Sequence, residues 1–127
     1  MDDEDVVRET CGEMLLILGH TVDYAINGQE ALTKYERALQ EEQPFDLVIM
    51  DLTIPGGIGG KEAIHRLLKI DPQAKAIVSS GYSHDDVMAN YRNYGFMGVI
   101  AKPYIMDSFA RTIQEILARP MTTADND

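Results

Sequence analysis

The sequence predicts a doubly wound α/β domain: a parallel sheet with helices packed on both faces. Three observations carry this expectation. Stretches of helical periodicity alternate along the chain with short apolar runs. The two clearest runs, at 46–50 and 75–79, are unbroken, as expected of strands buried on both faces. Each run also stops abruptly at polar residues and a loop.

Taken in order, residues 5–18 place Val6, Val7, Thr10, Cys11, Met14, Leu15 and Leu18 at helical spacing, with Gly19 as a C-terminal stop. His20 to Ile26 carries β-branched Thr21, Val22 and Ile26 and closes on the turn signal Asn27-Gly28, which predicts a strand. Residues 29–42 bring Ala31, Leu32, Tyr35, Ala38 and Leu39 onto one helical face, supported by Glu30 and Lys34 four residues apart. After Pro44 the run Phe45 to Met50 reads as a buried strand ending at Asp51. A loop holding Pro55, Gly56, Gly57, Gly59 and Gly60 leads into a helix at 61–70, stopped by Asp71-Pro72. A strand at 75–79 ends in Ser80-Gly81, a less apolar helix covers 84–94, a last strand runs from Met97 to Ala101, and a helix at 107–118 presents Phe109, Ile113, Ile116 and Leu117. One domain of 1–118 followed by a loose C-terminal tail, 119–127, is expected.

Composition narrows the function. The 127 residues carry a net charge of −10, which disfavours direct attraction to nucleic acid or anionic lipid. No stretch approaches the ~18 apolar residues that cross a bilayer, and the acidic start is the opposite of a signal peptide, so a cytoplasmic protein is expected. The single cysteine, Cys11, excludes an intrachain disulfide or a multi-cysteine metal cage. The histidines His20, His65 and His84 lack zinc-site spacing. Charge is also uneven: Asp2, Asp3, Glu4, Asp5, Glu9 and Glu13 face only Arg8 within residues 1–13.

In an open parallel sheet, ligands gather beyond the carboxyl ends of the strands. The residues there are Asp51, Ser80 and Lys102. Singly, each has a plain explanation as a loop acid, a turn hydroxyl or a surface lysine. Jointly, a carboxylate, a hydroxyl and an ammonium at the ends of three strands suit a phosphoryl group carried on Asp51, its oxygens received by the other two. A carboxylate repels a phosphoryl donor unless a divalent cation bridges them, and Asp2 and Asp3 with Asp51 supply the hard oxygen ligands that Mg²⁺ takes. Glu4 and Asp5 serve mainly the positive end of the first helix. Lys102 precedes Pro103, a step that can be cis.

This ensemble resembles the receiver domain of two-component response regulators, a flavodoxin-like fold. The resemblance rests on Met1-Asp2-Asp3-Glu4, on Asp46-Leu-Val-Ile-Met-Asp51-Leu-Thr-Ile-Pro55 with Gly59, on Ser80-Gly81 and on Ala101-Lys102-Pro103-Tyr104, and it runs to about residue 118. It implies a phosphoacceptor at Asp51 and Mg²⁺ ligands at Asp2, Asp3, Asp51 and the backbone carbonyl of Thr53. It implies a switch hydroxyl at Ser80 and a phosphoryl-binding lysine at Lys102. The implied partner is a histidine kinase or phosphotransfer domain, and the domain is a signalling module rather than a stand-alone enzyme. The stretches 78–83 and 94–104 look closest to receivers attached to hybrid sensor kinases.

Two departures stand out. Val99 occupies the position where receivers usually carry Tyr or Phe. The apolar strand that normally leads into the acidic pair is represented only by Met1. In the order 2-1-3-4-5 that strand is central, so its loss leaves two rows of backbone groups without a ladder. The expectation is a destabilised chain, or one whose sheet is completed by a homodimer or a neighbouring chain, with the Met1 ammonium beside the metal carboxylates weakening Mg²⁺ binding. Two rivals differ in class. A pseudo-receiver would bind partners without being phosphorylated, whereas a flavin carrier on the same fold is opposed by the absence of Trp and by Lys102 at a strand end.

Overall fold

The computed structural model describes residues 1–81 and 85–119. Among these the helices are α1 (Asp5–Ile17), α2 (Gly28–Gln40), α3 (Gly60–Ile70), α4 (Asp86–Ala89), α5 (Tyr91–Tyr94) and α6 (Met106–Ala118), and the strands are β1 (Val48–Asp51), β2 (Ala76–Ser80) and β3 (Gly98–Ala101). The strands form one parallel sheet in the order β1-β2-β3, with Asp51 opposite Ser79 and Ser80 opposite Ala101. The tail expected beyond Arg119 and His84 of the expected 84–94 helix lie outside the described residues.

Strand side chains alternate between two cores, as a sheet covered on both sides requires. Met50, Ala76 and Val78 pack under α2, α3 and α4 with Leu32, Tyr35, Ile64, Leu67 and Val87. Ile49, Ile77 and Ile100 face α1 and α6, against Met14, Phe109, Ile113 and Ile116. Unbroken apolar strands are therefore necessary here, because each successive residue enters a different core. The α2–α3 face is also held by polar contacts. The Tyr35 hydroxyl donates to Asp71 Oδ2 at 2.7 Å, joining α2 to the end of α3, and Asn27 caps α2 by accepting from the Glu30 N–H at 2.9 Å.

Two elements differ from the sequence expectation. The strand expected at His20 to Ile26 is absent from the sheet; residues 20–25 belong to no ladder. As the sequence leads one to expect, the central strand is represented only by a stub. Met1 and Asp2 sit between Ala25 and β1: the amino terminus donates to the Ile49 carbonyl at 2.7 Å, the Asp51 N–H donates to the Met1 carbonyl at 2.9 Å, and the Asp2 N–H donates to the Ala25 carbonyl at 3.0 Å. Thr21 and Val22 have strand propensity, but a strand needs a hydrogen-bonded neighbour, and only Asp2 offers one. The second difference is the single helix expected over 84–94. Its described part forms two separate turns, α4 and α5, because Asn90 leaves the helical region at φ −119°, ψ 37°, and Gly95 at φ 107° ends the second turn.

Candidate functional site

Three elements deliver acids and a base to the carboxyl end of the sheet. Asp51 is the last residue of β1 and is buried, because the strand enters both cores up to that point. Asp2 is placed by the short stub described above and is buried as well, while Asp3 is exposed. Further contacts fix Asp2: its Oδ1 accepts from the Glu4 N–H at 3.0 Å, and its carbonyl accepts from Arg8 Nη1 at 2.9 Å. Lys102 directly follows β3 and precedes a cis Lys102–Pro103 peptide, and its N–H donates to the Ser80 carbonyl at 2.9 Å.

The Lys102 ammonium lies 2.8 Å from Asp2 Oδ2 and 3.2 Å from Asp51 Oδ1, so one cation bridges two carboxylates from separate segments. Burial pushes the Asp51 carboxyl above its ordinary range; the Lys102 ammonium opposes this and the nearby Asp2 adds to it. Burial lowers the affinity of Lys102 for its proton, but the hydrogen bond to Asp2 and the attraction of Asp51 outweigh it, and the net shift is upward. The amino terminus was expected to crowd the carboxylates as a competing cation. Its hydrogen bond instead goes to the Ile49 carbonyl, because the stub runs parallel to β1 and aims that end down the sheet, so Lys102 is the cation in contact with the acids. Burial holds the amino group's pKa below its usual value.

The donor set fits a small hard cation. One carboxylate oxygen each from Asp2, Asp3 and Asp51 lie within 4.8 Å of one another, close to the ~3–4 Å spacing of oxygens around Mg²⁺. Asp2 Oδ2 is buried and faces the Lys102 ammonium at 2.8 Å, with no other partner among the described residues. Three carboxylates against one ammonium leave an excess of negative charge for a divalent ion to neutralise.

The glycine loop before α3 is a packing requirement as well as a connection. A Cβ on Gly59 would collide with the Leu52 carbonyl, next to Asp51 in the chain, and the Gly60 N–H donates to that same carbonyl at 3.1 Å. Gly59→Ala is expected to cost about 1–3 kcal/mol, since backbone rather than a flexible side chain must give way, and urea unfolding would measure it.

Of the residues singled out from sequence, the structure brings Asp2, Asp3, Asp51 and Lys102 together. Ser80 is buried at the end of β2, tied to Lys102 through the backbone, and the Thr53 N–H donates to the Asp51 carboxylate. Two contributors escaped the sequence reading. Arg8 holds the Asp2 carbonyl, and the Tyr104 hydroxyl shares a 2.8 Å hydrogen bond with Ser79 Oγ beneath the site. The only sequence signals were that Arg8 is the one base in the acidic opening and that Tyr104 closes the lysine motif. Val99 packs half-buried against the α2–α3 core, in keeping with its apolar side chain. No helix among the described residues is long and apolar enough to cross a membrane.

The chain is similar to known proteins over nearly its full length. A response regulator receiver protein of Anaeromyxobacter is 37% identical over 103 residues, covering 81% of this chain and 41% of the relative. The sensor kinase CckA of Brucella abortus is 32% identical over 119 residues, covering 94% of this chain and 12% of the kinase. The chain therefore spans less than half the length of these two curated relatives. Among solved structures, the response regulator TrrA of Thermotoga maritima, in complex with Mg²⁺ and BeF, superposes with a TM-score of 0.76 at 30% identity, covering 91% of this chain and 93% of that one. The family model described as the response regulator receiver domain matches residues 1–114, and with an acid-lined pocket at the carboxyl end of a parallel sheet, the chain belongs to that family of signalling modules.

Proposed function

We propose that the chain is a phosphoacceptor of a two-component phosphorelay, working in the cytoplasm. A phosphohistidine on a histidine kinase or phosphotransfer domain donates to Asp51: an Asp51 carboxylate oxygen attacks phosphorus, the P–N bond breaks, and the imidazole leaves as the acceptor of a proton. Water later hydrolyses the acyl phosphate, returning the carboxylate and inorganic phosphate. The observation that carries this reading is the buried Asp51 carboxylate at a strand end, 3.2 Å from the Lys102 ammonium and clustered with Asp2 and Asp3.

Each group then has a task. Lys102 neutralises an oxygen of the incoming phosphoryl group, and the Ser80 hydroxyl receives another once the group is in place. Asp2, Asp3, Asp51 and the Thr53 carbonyl would hold Mg²⁺. When bound, the ion supplies positive charge between the carboxylates and the donor phosphate. The similarity to part of a sensor kinase makes a hybrid kinase one natural setting for such a module. A domain of residues 1–118 is the unit that carries this activity.

A pseudo-receiver that docks partners without phosphorylation is the rival reading, and Val99 in place of an aromatic favours it. Acetyl phosphate with Mg²⁺ separates the two. The expected result is a mass gain of one phosphoryl group on the intact chain that vanishes in Asp51→Asn. No gain on the parent chain would transfer the case to the rival.

A further inference from the structure

The last two residues of β2 hold the segments on either side of them at the site. The Ser79 carbonyl accepts from the Leu52 N–H at 2.8 Å, directly after Asp51, and the Ser80 carbonyl accepts from the Lys102 N–H at 2.9 Å. Beyond Lys102 the chain is pinned to β2 a second time. The Tyr104 and Ser79 hydroxyls share a 2.8 Å hydrogen bond, so only Pro103 separates a backbone anchor at Lys102 from a side-chain anchor at Tyr104. Ser79 is 1% exposed, a place where a hydroxyl is costly unless it is bonded, and alanine and phenylalanine would serve packing alone at these two positions. Burial pushes the Tyr104 phenol above its usual range and the bond with Ser79 only partly offsets this, so the pair is uncharged at neutral pH. The Tyr104 ring also rests 5.4 Å from the Phe109 ring. Such apolar contact is non-directional, whereas the hydroxyl bond is directional and sets the distance between Tyr104 and the end of β2.

We infer that Tyr104 is a positioning residue: its hydroxyl, held by Ser79, fixes the loop after β3 so that Lys102 presents its ammonium to Asp51 and Asp2. The target is narrow, because the ammonium stands 2.8 Å from Asp2 Oδ2 and 3.2 Å from Asp51 Oδ1 at the end of a flexible stem. Ordering such a stem costs rotamer entropy, and the cost is smaller when the backbone on both sides of Lys102 is already fixed. The Ser80 carbonyl supplies the first hold and the Tyr104 hydroxyl the second. Tyr104 thus acts through Lys102 rather than on a transferred group. The bearing of this device on phosphoryl transfer rests on the reading of Asp51 as a phosphoacceptor, whereas the placement of the ammonium does not.

Competitive acetylation of the full chain by acetic anhydride, with the exposed Lys61 and Lys69 as internal references, reads the placement of Lys102 without any phosphoryl transfer. Tyr104→Phe and Ser79→Ala each remove one hydroxyl and keep most of the surrounding bulk. In each, labelling of Lys102 relative to the references should rise ~threefold or more. The double variant separates positioning from the simple need to pair buried polar groups. Its stability should recover, since neither hydroxyl is left unpaired, whereas its Lys102 labelling should stay as high as in the single variants. Phosphoryl uptake from acetyl phosphate with Mg²⁺ should fall ~tenfold in each single variant and no further in the double, and Tyr104→Phe should add nothing to the loss in Lys102→Met. The inference is overturned if Lys102 labelling is unchanged in both single variants or returns to the parent level in the double. It is equally overturned if Tyr104→Phe lowers uptake by the same factor with and without Lys102. A parent chain that takes up no phosphoryl group would count against Asp51 as a phosphoacceptor, and the labelling would still decide whether Tyr104 places Lys102.

Discussion

Lys102→Met is expected to destabilise the metal-free chain by about 1–3 kcal/mol at neutral pH and to make its stability far more responsive to Mg²⁺. The ammonium holds Asp2 at 2.8 Å and Asp51 at 3.2 Å, and its removal leaves two buried carboxylates facing each other with Asp3 nearby. A fully enclosed pair would be worth more; part of the Lys102 side chain still meets solvent, which reduces the figure. The sign of the pH effect follows from the direction of the shifts. Asp51 already has a raised pKa from burial, so its ionisation opposes folding as pH climbs through the carboxylate range. Without Lys102 that opposition grows, and the variant should match the parent near pH 4 and fall behind it toward pH 7. Lys102 itself has a raised pKa, so in the parent its contribution is intact at neutral pH and lost only in the alkaline range.

Magnesium should reverse the defect. With the competing ammonium gone, a divalent ion is the remaining source of positive charge, and saturation to about a hundred times Kd adds ~2.7 kcal/mol. Phosphoryl uptake from acetyl phosphate should nonetheless drop ~hundredfold, because the ammonium that receives a phosphoryl oxygen is missing. Thermal unfolding with and without Mg²⁺ at two pH values measures all but the last point. An unchanged Mg²⁺ response in the variant would show that Lys102 and the ion do not share the site.

Much of this site was legible in the sequence because strand ends are. An apolar run that stops at a charged residue fixes both the strand and the position of its final side chain, and Asp51 and Lys102 were found that way. The acids at residues 2 and 3 were legible through their charge and their resemblance to a known motif. The strand expected at 20–26 was not recoverable from local pattern, because Thr21, Val22 and Ile26 specify extended backbone while the ladder depends on a neighbour that only Asp2 supplies. The break at Asn90 failed for a similar reason. Helical spacing of Val87, Met88 and Tyr91 persists across it, so periodicity alone could not show two turns where one helix was expected. Contacts such as Arg8 to the Asp2 carbonyl and Tyr104 to Ser79 join residues far apart in sequence or by main chain, and no spacing rule encodes them.

Phe109→Ala is expected to have the largest effect on stability, a loss of about 3–5 kcal/mol. The ring is completely buried in the core cluster that also holds Ile49, Ile77 and Ile100, one residue from each of the three strands. It also packs 5.4 Å from the Tyr104 ring, whose hydroxyl anchors Ser79. Such a loss is a large share of the ~5–15 kcal/mol that holds a domain together. Tm should fall by about 10–20 °C, whereas Ile105→Ala, four residues earlier and exposed, should change stability by less than about 0.5 kcal/mol. Below the lowered Tm, phosphoryl uptake should stay within about tenfold of the parent, since Asp51, Asp2 and Lys102 are positioned by β1, the amino-terminal stub and the end of β3 rather than by the Phe109 ring. A Tm within a few degrees of the parent would mean that α6 is not the element closing this face of the sheet.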